Sequence, residues 1–407
     1  MGRNRGMEYV RLKDIGQIIT GNTPPTSKPE YYGDYMPFIK ATDIPIGVKC
    51  TLVTEQSYSK LAAEKYKKSL VPKGSTCVVT IGSIGKKMTY AHTDLFVNQA
   101  INAIVPKDSY DNEYIFYNVR CSVLPQLKKL DSGTTSGREN ISKTSFSSIR
   151  IPVIKDKNVQ RRIGVILSTY DSLIENNTKR IRILEKMAEN LYKEWFVRFR
   201  FPGHEKMEIV NGLPEGWIIK KIKDYGKIET GKTPSMQVSE YYGGKYLFIK
   251  TPDMHGGVFV CSTEETLSEL GNKSQPKKLL PPNSIMVSCI GTAGIVALNA
   301  KEGHTNQQIN SIIPSDMVNL QWLYFTCKEL RATIELFGAT GATMTNLSKG
   351  KFEKLKVLEP TIALRSAFHN RVSSMFKLIL KLENENSLLA RQRDLLLPRL
   401  MSGKLEV

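Results

Sequence analysis

The sequence predicts a mixed α/β fold. Two similar α/β domains are separated by two long helices, paired as an antiparallel coiled coil with an internal pseudo-two-fold. Three observations predict it. Residues 12–44 recur at 222–254 in the same order and without a gap, with 16 of 33 positions identical. Each copy is rich in short β-type runs, TCVVTIG and INAIVP in the first, SIMVSCIG and INSIIP in the second. Each is followed by a stretch nearly free of helix breakers: 153–201 has no proline and only Gly164, and 361–397 has neither proline nor glycine. A repeat of this length dictates the architecture before any local element is read.

In chain order, residues 1–155 form the first domain. Their β-type runs are punctuated by Gly, Pro, Asn and Ser clusters that read as polar loops. A central spacer helix follows at 156–203. The second domain, 204–360, repeats the parts of the first: LVPKGSTCVVTIGSIG (70–85) matches LLPPNSIMVSCIGTAG (279–294), and NQAINAIVP (98–106) matches NQQINSIIP (306–314). A C-terminal spacer helix occupies 361–407.

Both helices carry a heptad seam with alternating steps of four and three, the coiled-coil pattern. It runs from Ile163 through Leu167, Tyr170, Ile174, Asn177 and Ile181 to Trp195, and from Phe368 through Ile379, Leu382, Asn386, Leu389 and Arg393 to Leu400. An unpartnered buried amide costs ~1–3 kcal/mol. In parallel alignment Asn177 would face Leu382, and Asn386 would face Ile181. Aligned antiparallel, Asn177 meets Asn386, and Tyr170 meets Arg393, whose guanidinium is expected to lie on the ring.

The 58 Lys+Arg against 39 Asp+Glu give a net charge of +19, which points to a polyanionic partner. No apolar run nears the ~18 residues of a membrane span, so no membrane partner is expected. The opening MGRNRGMEYV lacks the apolar core of a signal peptide, and the six cysteines are widely spaced without CxxC. The expectation is a cytoplasmic protein with reduced thiols and no metal site.

Gly226–Thr233, GKIETGKT, fits the phosphate-loop pattern GxxxxGK[ST] and supplies the alternative reading, an NTP-binding protein. Against it, Pro234 follows at once, and the first copy has Asn22 where the lysine would stand. No nucleophile–base pair or dinucleotide fingerprint is evident, so no catalytic residue is expected. A third reading makes the coil an assembly device and the charge incidental.

The order and duplication of these parts resemble the DNA specificity (S) subunit of type I restriction–modification enzymes. The resemblance spans essentially the whole chain. It rests on the paired LKDIGQIITGNTP-type segments, the Gly/Thr stretches GTTSGRENIS (133–142) and GATGATMTNLS (338–348), and the helical endings EKMAENLYKEWF and LARQRDLLLPRLMSGKL. It implies that each recognition domain reads one half of a bipartite, asymmetric site in double-stranded DNA. The helices would fix the spacer and dock two methyltransferase (modification) subunits. S-adenosylmethionine, and ATP with Mg for cleavage by a motor–nuclease (restriction) subunit, would sit on partners, leaving no cofactor in this chain.

Candidate DNA contacts combine flexible loops with hydrogen-bond donors. They are Thr20, Asn22, Lys40, Lys86, Lys87, Thr135, Arg138 and Lys143 in the first copy, and Lys232, Lys250, Thr340, Thr343, Asn346 and Lys349 in the second. Any one of them taken alone reads first as a solvated surface group. Copy two has Ile295 and Val296 where copy one has Lys86 and Lys87, so the two readers should differ there. Tyr31/Tyr32 and Tyr241/Tyr242 are expected to pack beneath a loop. Asn98-Gln99 and Asn306-Gln307 either hold a turn or reach DNA.

Overall fold

A computed structural model describes residues 6–130, 139–210, 212–338 and 345–407. The chain divides into two compact units, Met1–Leu173 with Leu389–Val407, and Ile174–Leu388. Each unit therefore contains one recognition domain and part of both long helices.

In unit one, Met7–Arg11 pairs antiparallel with Arg150–Ile154, tying the start of the domain to its end. A four-stranded antiparallel sheet has the order Gly16–Thr20, Ile101–Pro106, Thr76–Val79, Met88–Tyr90. Thr76–Val79 is buried along its whole length because both faces are covered. Val78 and Ile104 face a core with Tyr114, Phe116 and Tyr117 of the helix Asn112–Ser122. Cys77, Val79 and Ala103 face a second core with Ile39 and Val97, as the two-residue period of a strand requires. The helix is capped by Asp111, whose carboxylate accepts the Tyr114 N–H at 2.9 Å. A smaller sheet has the order Tyr32–Gly33, Gln56–Tyr58, Met36–Ile39, Phe96–Val97.

Unit two repeats this plan. Ile218–Lys221 pairs with Lys356–Glu359. A five-stranded sheet has the order Gly226–Thr230, Ile309–Pro314, Ile285–Ser288, Val296–Asn299, Phe259–Val260. The second sheet is Glu265–Leu267, Tyr242–Ile249, Gly303–Thr305. The register repeats as well: Thr20 lies opposite Asn102, and Thr230 opposite Asn310. The NTP-binding alternative loses its footing here. Gly226–Thr230 is a strand in a ladder with Ile309–Pro314 rather than a phosphate-wrapping loop, and only the three-residue turn Ser239–Tyr241 follows.

The central helix covers Lys157–Tyr192 and continues as the π-turn Lys193–Val197; the C-terminal helix covers Ile362–Met401. They run antiparallel in both units. In unit one Asp171 meets Arg393, and Ile163 and Leu167 share a core with Leu397 and Leu400. In unit two the Asn386 amide donates to Thr178 Oγ1 at 3.4 Å, and Trp195 packs against Phe368 with ring centroids 5.9 Å apart.

Two polar layers differ from expectation. Arg393 does not rest on Tyr170. It is ion-paired to Asp171, which also accepts the Tyr117 hydroxyl. At 2% exposure the guanidinium needs a carboxylate, since a ring face cannot satisfy its donors. The Asn177–Asn386 amide bond is likewise not made. Asn386 engages Thr178, one residue on, leaving Asn177 Nδ2 and Asn386 Oδ1 unpaired. Cysteines at 177 and 386 should nonetheless cross-link faster than a pair at 177 and 382, as a disulfide-trapping time course would show.

No helix among the described residues is long and apolar enough to cross a membrane.

Candidate nucleic-acid interface

The TG(N/K)TP loop is built identically in both units. Thr20 closes its strand by donating to Asn102 Oδ1 at 2.6 Å, as Thr230 does to Asn310 Oδ1 at 2.6 Å. The next residue must be glycine. A Cβ on Gly21 would fall 2.1 Å from the Val97 carbonyl oxygen, and one on Gly231 would fall 2.2 Å from the Asn306 carbonyl oxygen. That close approach lets the Asn22 N–H reach Val97 O, and the Lys232 N–H reach Thr305 O, each at 2.9 Å.

Side chains then brace the loop from below. Thr23 donates to Gln99 Oε1, and Thr233 to Gln307 Oε1 at 2.7 Å. The Tyr32 hydroxyl donates to Pro24 O at 2.7 Å, and Tyr242 to Pro234 O at 2.9 Å. Tyr31 is buried. Tyr32 and Tyr242 thus support the loop, and Gln99 and Gln307 hold the turn. Asn22 and Lys232 are left exposed on a rigid base.

Hydrogen bonds string the other candidate segments onto the same edge. In unit one, Asn98 N–H bonds Ile39 O, next to Lys40. Asn102 Nδ2 donates to Thr80 Oγ1 at 2.8 Å, and the Ile141 N–H to Thr80 O at 2.9 Å, two residues before Lys143. In unit two, Asn306 N–H bonds Ile249 O, next to Lys250, and Asn310 Nδ2 reaches Leu347 O at 3.3 Å, beside Asn346 and near Lys349. Asn346 is exposed on a two-residue strand paired with Ile290–Gly291. Asn102 and Asn310 are therefore the hubs, and sequence reading missed them. Their signal was an asparagine inside an apolar β run in both copies.

The candidate lysines are not equivalent. Lys40 is ion-paired to Glu55, and Lys250 to Glu265 at 2.6 Å. Their backbone N–H groups each bond an aspartate, Asp43 or Asp253, at 2.8 Å. These two lysines clamp a loop. Lys87 donates to Ala41 O at 3.0 Å, whereas Lys86 and Lys143 are exposed and make no ion pair among the described residues. Lys349 lies 3.7 Å from Glu353, one helical turn away. In unit two, Val296 opens a buried strand where unit one has Lys87. Thr135, Arg138, Thr340 and Thr343 lie outside the described residues. Among the described residues no three His, Cys, Asp or Glu side chains gather as a metal site.

A duplicated α/β scaffold with matching loop edges, each copy braced by antiparallel helices, defines a class of paired recognition modules. The chain belongs to the type I restriction–modification DNA specificity family, as a specificity subunit: the family described as "Type I restriction modification DNA specificity domain" matches residues 4–186 and again 214–363. It is similar to the Type I restriction enzyme HindI specificity subunit of Haemophilus influenzae, with 34% identity over 72% of this chain and 77% of that one. It is also similar to the MjaIX specificity subunit of Methanocaldococcus jannaschii, with 27% identity over 98% and 94%. The fold matches the crystal structure of a type I S subunit from M. genitalium, with TM-score 0.58 and 17% identity over 98% and 97% of the two chains.

Proposed function

We propose that this chain is the non-catalytic, sequence-reading subunit of a type I restriction–modification complex acting on double-stranded DNA in the cytoplasm. Each unit reads one half of a bipartite, asymmetric site. One observation carries this reading: the two units hold the same loop frame, braced by the same bonds, but expose different residues from it. Asn22 is exposed where unit two exposes Lys232, and beyond that loop the exposed Lys86 stands where unit two has Ile295, which packs against its core. An asparagine suits adenine edges and a lysine suits guanine edges or phosphate. Equal frames with unequal tips favour two different half-sites.

The helices supply the spacer. A helix of 36 residues is about 54 Å long, against roughly 34–36 Å between successive half-sites on one duplex face. Docking of two methyltransferase subunits with S-adenosylmethionine, and of a motor–nuclease using ATP and Mg, belongs to the same reading.

Footprinting of the complex reconstituted with its methyltransferase tests it. Two protected patches flanking an unread gap are expected. Asn22→Ala should relax one half-site and Lys232→Ala the other, each by about 1–3 kcal/mol. Uniform, sequence-independent binding that merely weakens with salt would exclude the proposal.

A further inference from the structure

Beside Asn22 lies an open hollow of about 580 Å³, lined by Glu64, Lys65, Tyr66, Lys67, Lys68 and Ser69. The turn Lys67–Ser69 follows the short helix Lys60–Lys65 and leaves Lys67 and Lys68 exposed. Neither makes an ion pair among the described residues. Lys65 is organised differently. Its ammonium donates to the Tyr31 hydroxyl at 2.5 Å and sits 4.7 Å from that ring's centroid. Lys28 approaches the same ring, at 5.8 Å. Four cations thus gather from two segments around one tyrosine and one hollow, against two nearby carboxylates, Glu30 and Glu64.

We infer that this hollow is a phosphate-gripping site, through which unit one holds the DNA backbone beside the bases approached by Asn22. The inference rests on the proposed function and adds a site that the base-reading loops do not include. The chemistry favours phosphate over base edges. Lysine is a flexible point charge with three rotatable donors, suited to a phosphate oxygen that can be met from many angles. Such contacts position a protein on the duplex and carry no sequence information themselves.

The contrast with unit two sharpens the inference. There Lys278, in the equivalent turn, is held by Glu229, which Lys227 also approaches at 3.3 Å, so its charge is already spent inside the unit. Lys67 is replaced by Pro276 and Lys65 by Ser274, while Lys68 keeps a counterpart in the exposed Lys277, so the pair Lys67–Lys68 is particular to unit one.

The test is the salt dependence of binding by the full chain to two duplexes, one carrying the site methylated in cells and one with that site scrambled. Removing one lysine–phosphate pairing lowers the slope of log K against log salt by about 0.9. Lys67→Ala with Lys68→Ala should lower it by about 1.8 on both duplexes. At 0.1 M salt that corresponds to about 60-fold weaker binding, with preference between the duplexes unchanged. The Lys67→Arg, Lys68→Arg pair should keep the wild-type slope. An unchanged slope in the alanine variant would assign the hollow to another occupant, such as an acidic protein segment, and overturn the inference. An altered duplex preference would overturn it too, by making these lysines base readers. Wild-type protein that binds both duplexes equally would instead sink the proposed function, while a slope lowered by the alanines would still establish the phosphate grip.

Discussion

Asp171→Ala should cost unit one about 3–5 kcal/mol, the range for removing one member of a buried ion pair. Asp171 and Arg393 are 4% and 2% exposed, and Asp171 also accepts the Tyr117 hydroxyl. Without the carboxylate, Arg393 keeps, among the described residues, only Asp394, at 3.0 Å on its Nε, a residue it shares with Arg120 at 3.2 Å. Unit two solves the same problem without charge. At the equivalent positions it has Phe325, Phe376 and Ala188; the two rings pack edge to face at 5.8 Å and Ala188 is fully buried. Carrying that solution across, as Tyr117→Phe, Asp171→Phe and Arg393→Ala together, should recover most of the loss. A packed apolar replacement for a buried ion pair is often neutral or stabilising. Chemical denaturation with amide exchange over 157–173 and 389–401 reads both variants. A loss below about 1 kcal/mol for Asp171→Ala would show that the cluster is solvated and contributes little.

That cluster also marks where sequence reading runs out. The helices were legible because 153–201 and 361–397 lack breakers, and because the seam from Ile163 to Trp195 pairs with the seam from Leu400 to Phe368. The direction followed from the cost of a stranded asparagine amide. Asp171 was invisible to the same template: it lies one residue past the seam position Tyr170, and its other partner, Tyr117, is 54 residues earlier on a different element. A heptad describes apolar layers and says nothing about a charged residue beside them that a domain helix will cover.

The recognition edge was legible to a similar depth. The repeat singled out the TG(N/K)TP loops, and their exposed tips are Asn22 and Lys232. It could not separate a free lysine from a clamped one. Lys40 and Lys250 looked like donors, yet each is neutralised by a glutamate 15 residues downstream, Glu55 or Glu265. The equal spacing in both copies was the available signal, and only the pairing of the strands around it gives it meaning.

Glu383→Ala should destabilise unit two by about 2–6 kcal/mol, because it strands two buried donors at ~1–3 kcal/mol each. Glu383 Oε1 accepts the Val258 N–H and Oε2 the Phe259 N–H, both at 2.8 Å. Gly257 leaves the space: a Cβ there would fall 2.3 Å from Oε1. At the position of the central helix equivalent to Glu383 stands Thr178, which accepts from Asn386 instead, and Val48, the counterpart of the fully buried Val258, is 46% exposed. Burial pushes the Glu383 carboxyl up to about 8, opposed by the two backbone donors. Between the ordinary glutamate value and about 8 the folded protein holds a proton that the unfolded chain has lost. Stability therefore falls as pH rises through that window, by up to about 1.4 kcal/mol per pH unit, and levels above it. Burial holds His304 down to about 4, so the stability it contributes is lost only as pH falls below 6.5. Measuring unit two between pH 6.5 and 8 therefore keeps Glu383 clear of His304. Glu383→Gln cannot titrate and presents an amide N–H₂ to one donor. It should be less stable than wild type at pH 6.5 by about 1–3 kcal/mol, and the gap should narrow toward pH 8. A gap that stays constant across those pH values would mean that the carboxylate is ionised throughout and that the two N–H bonds outweigh its burial.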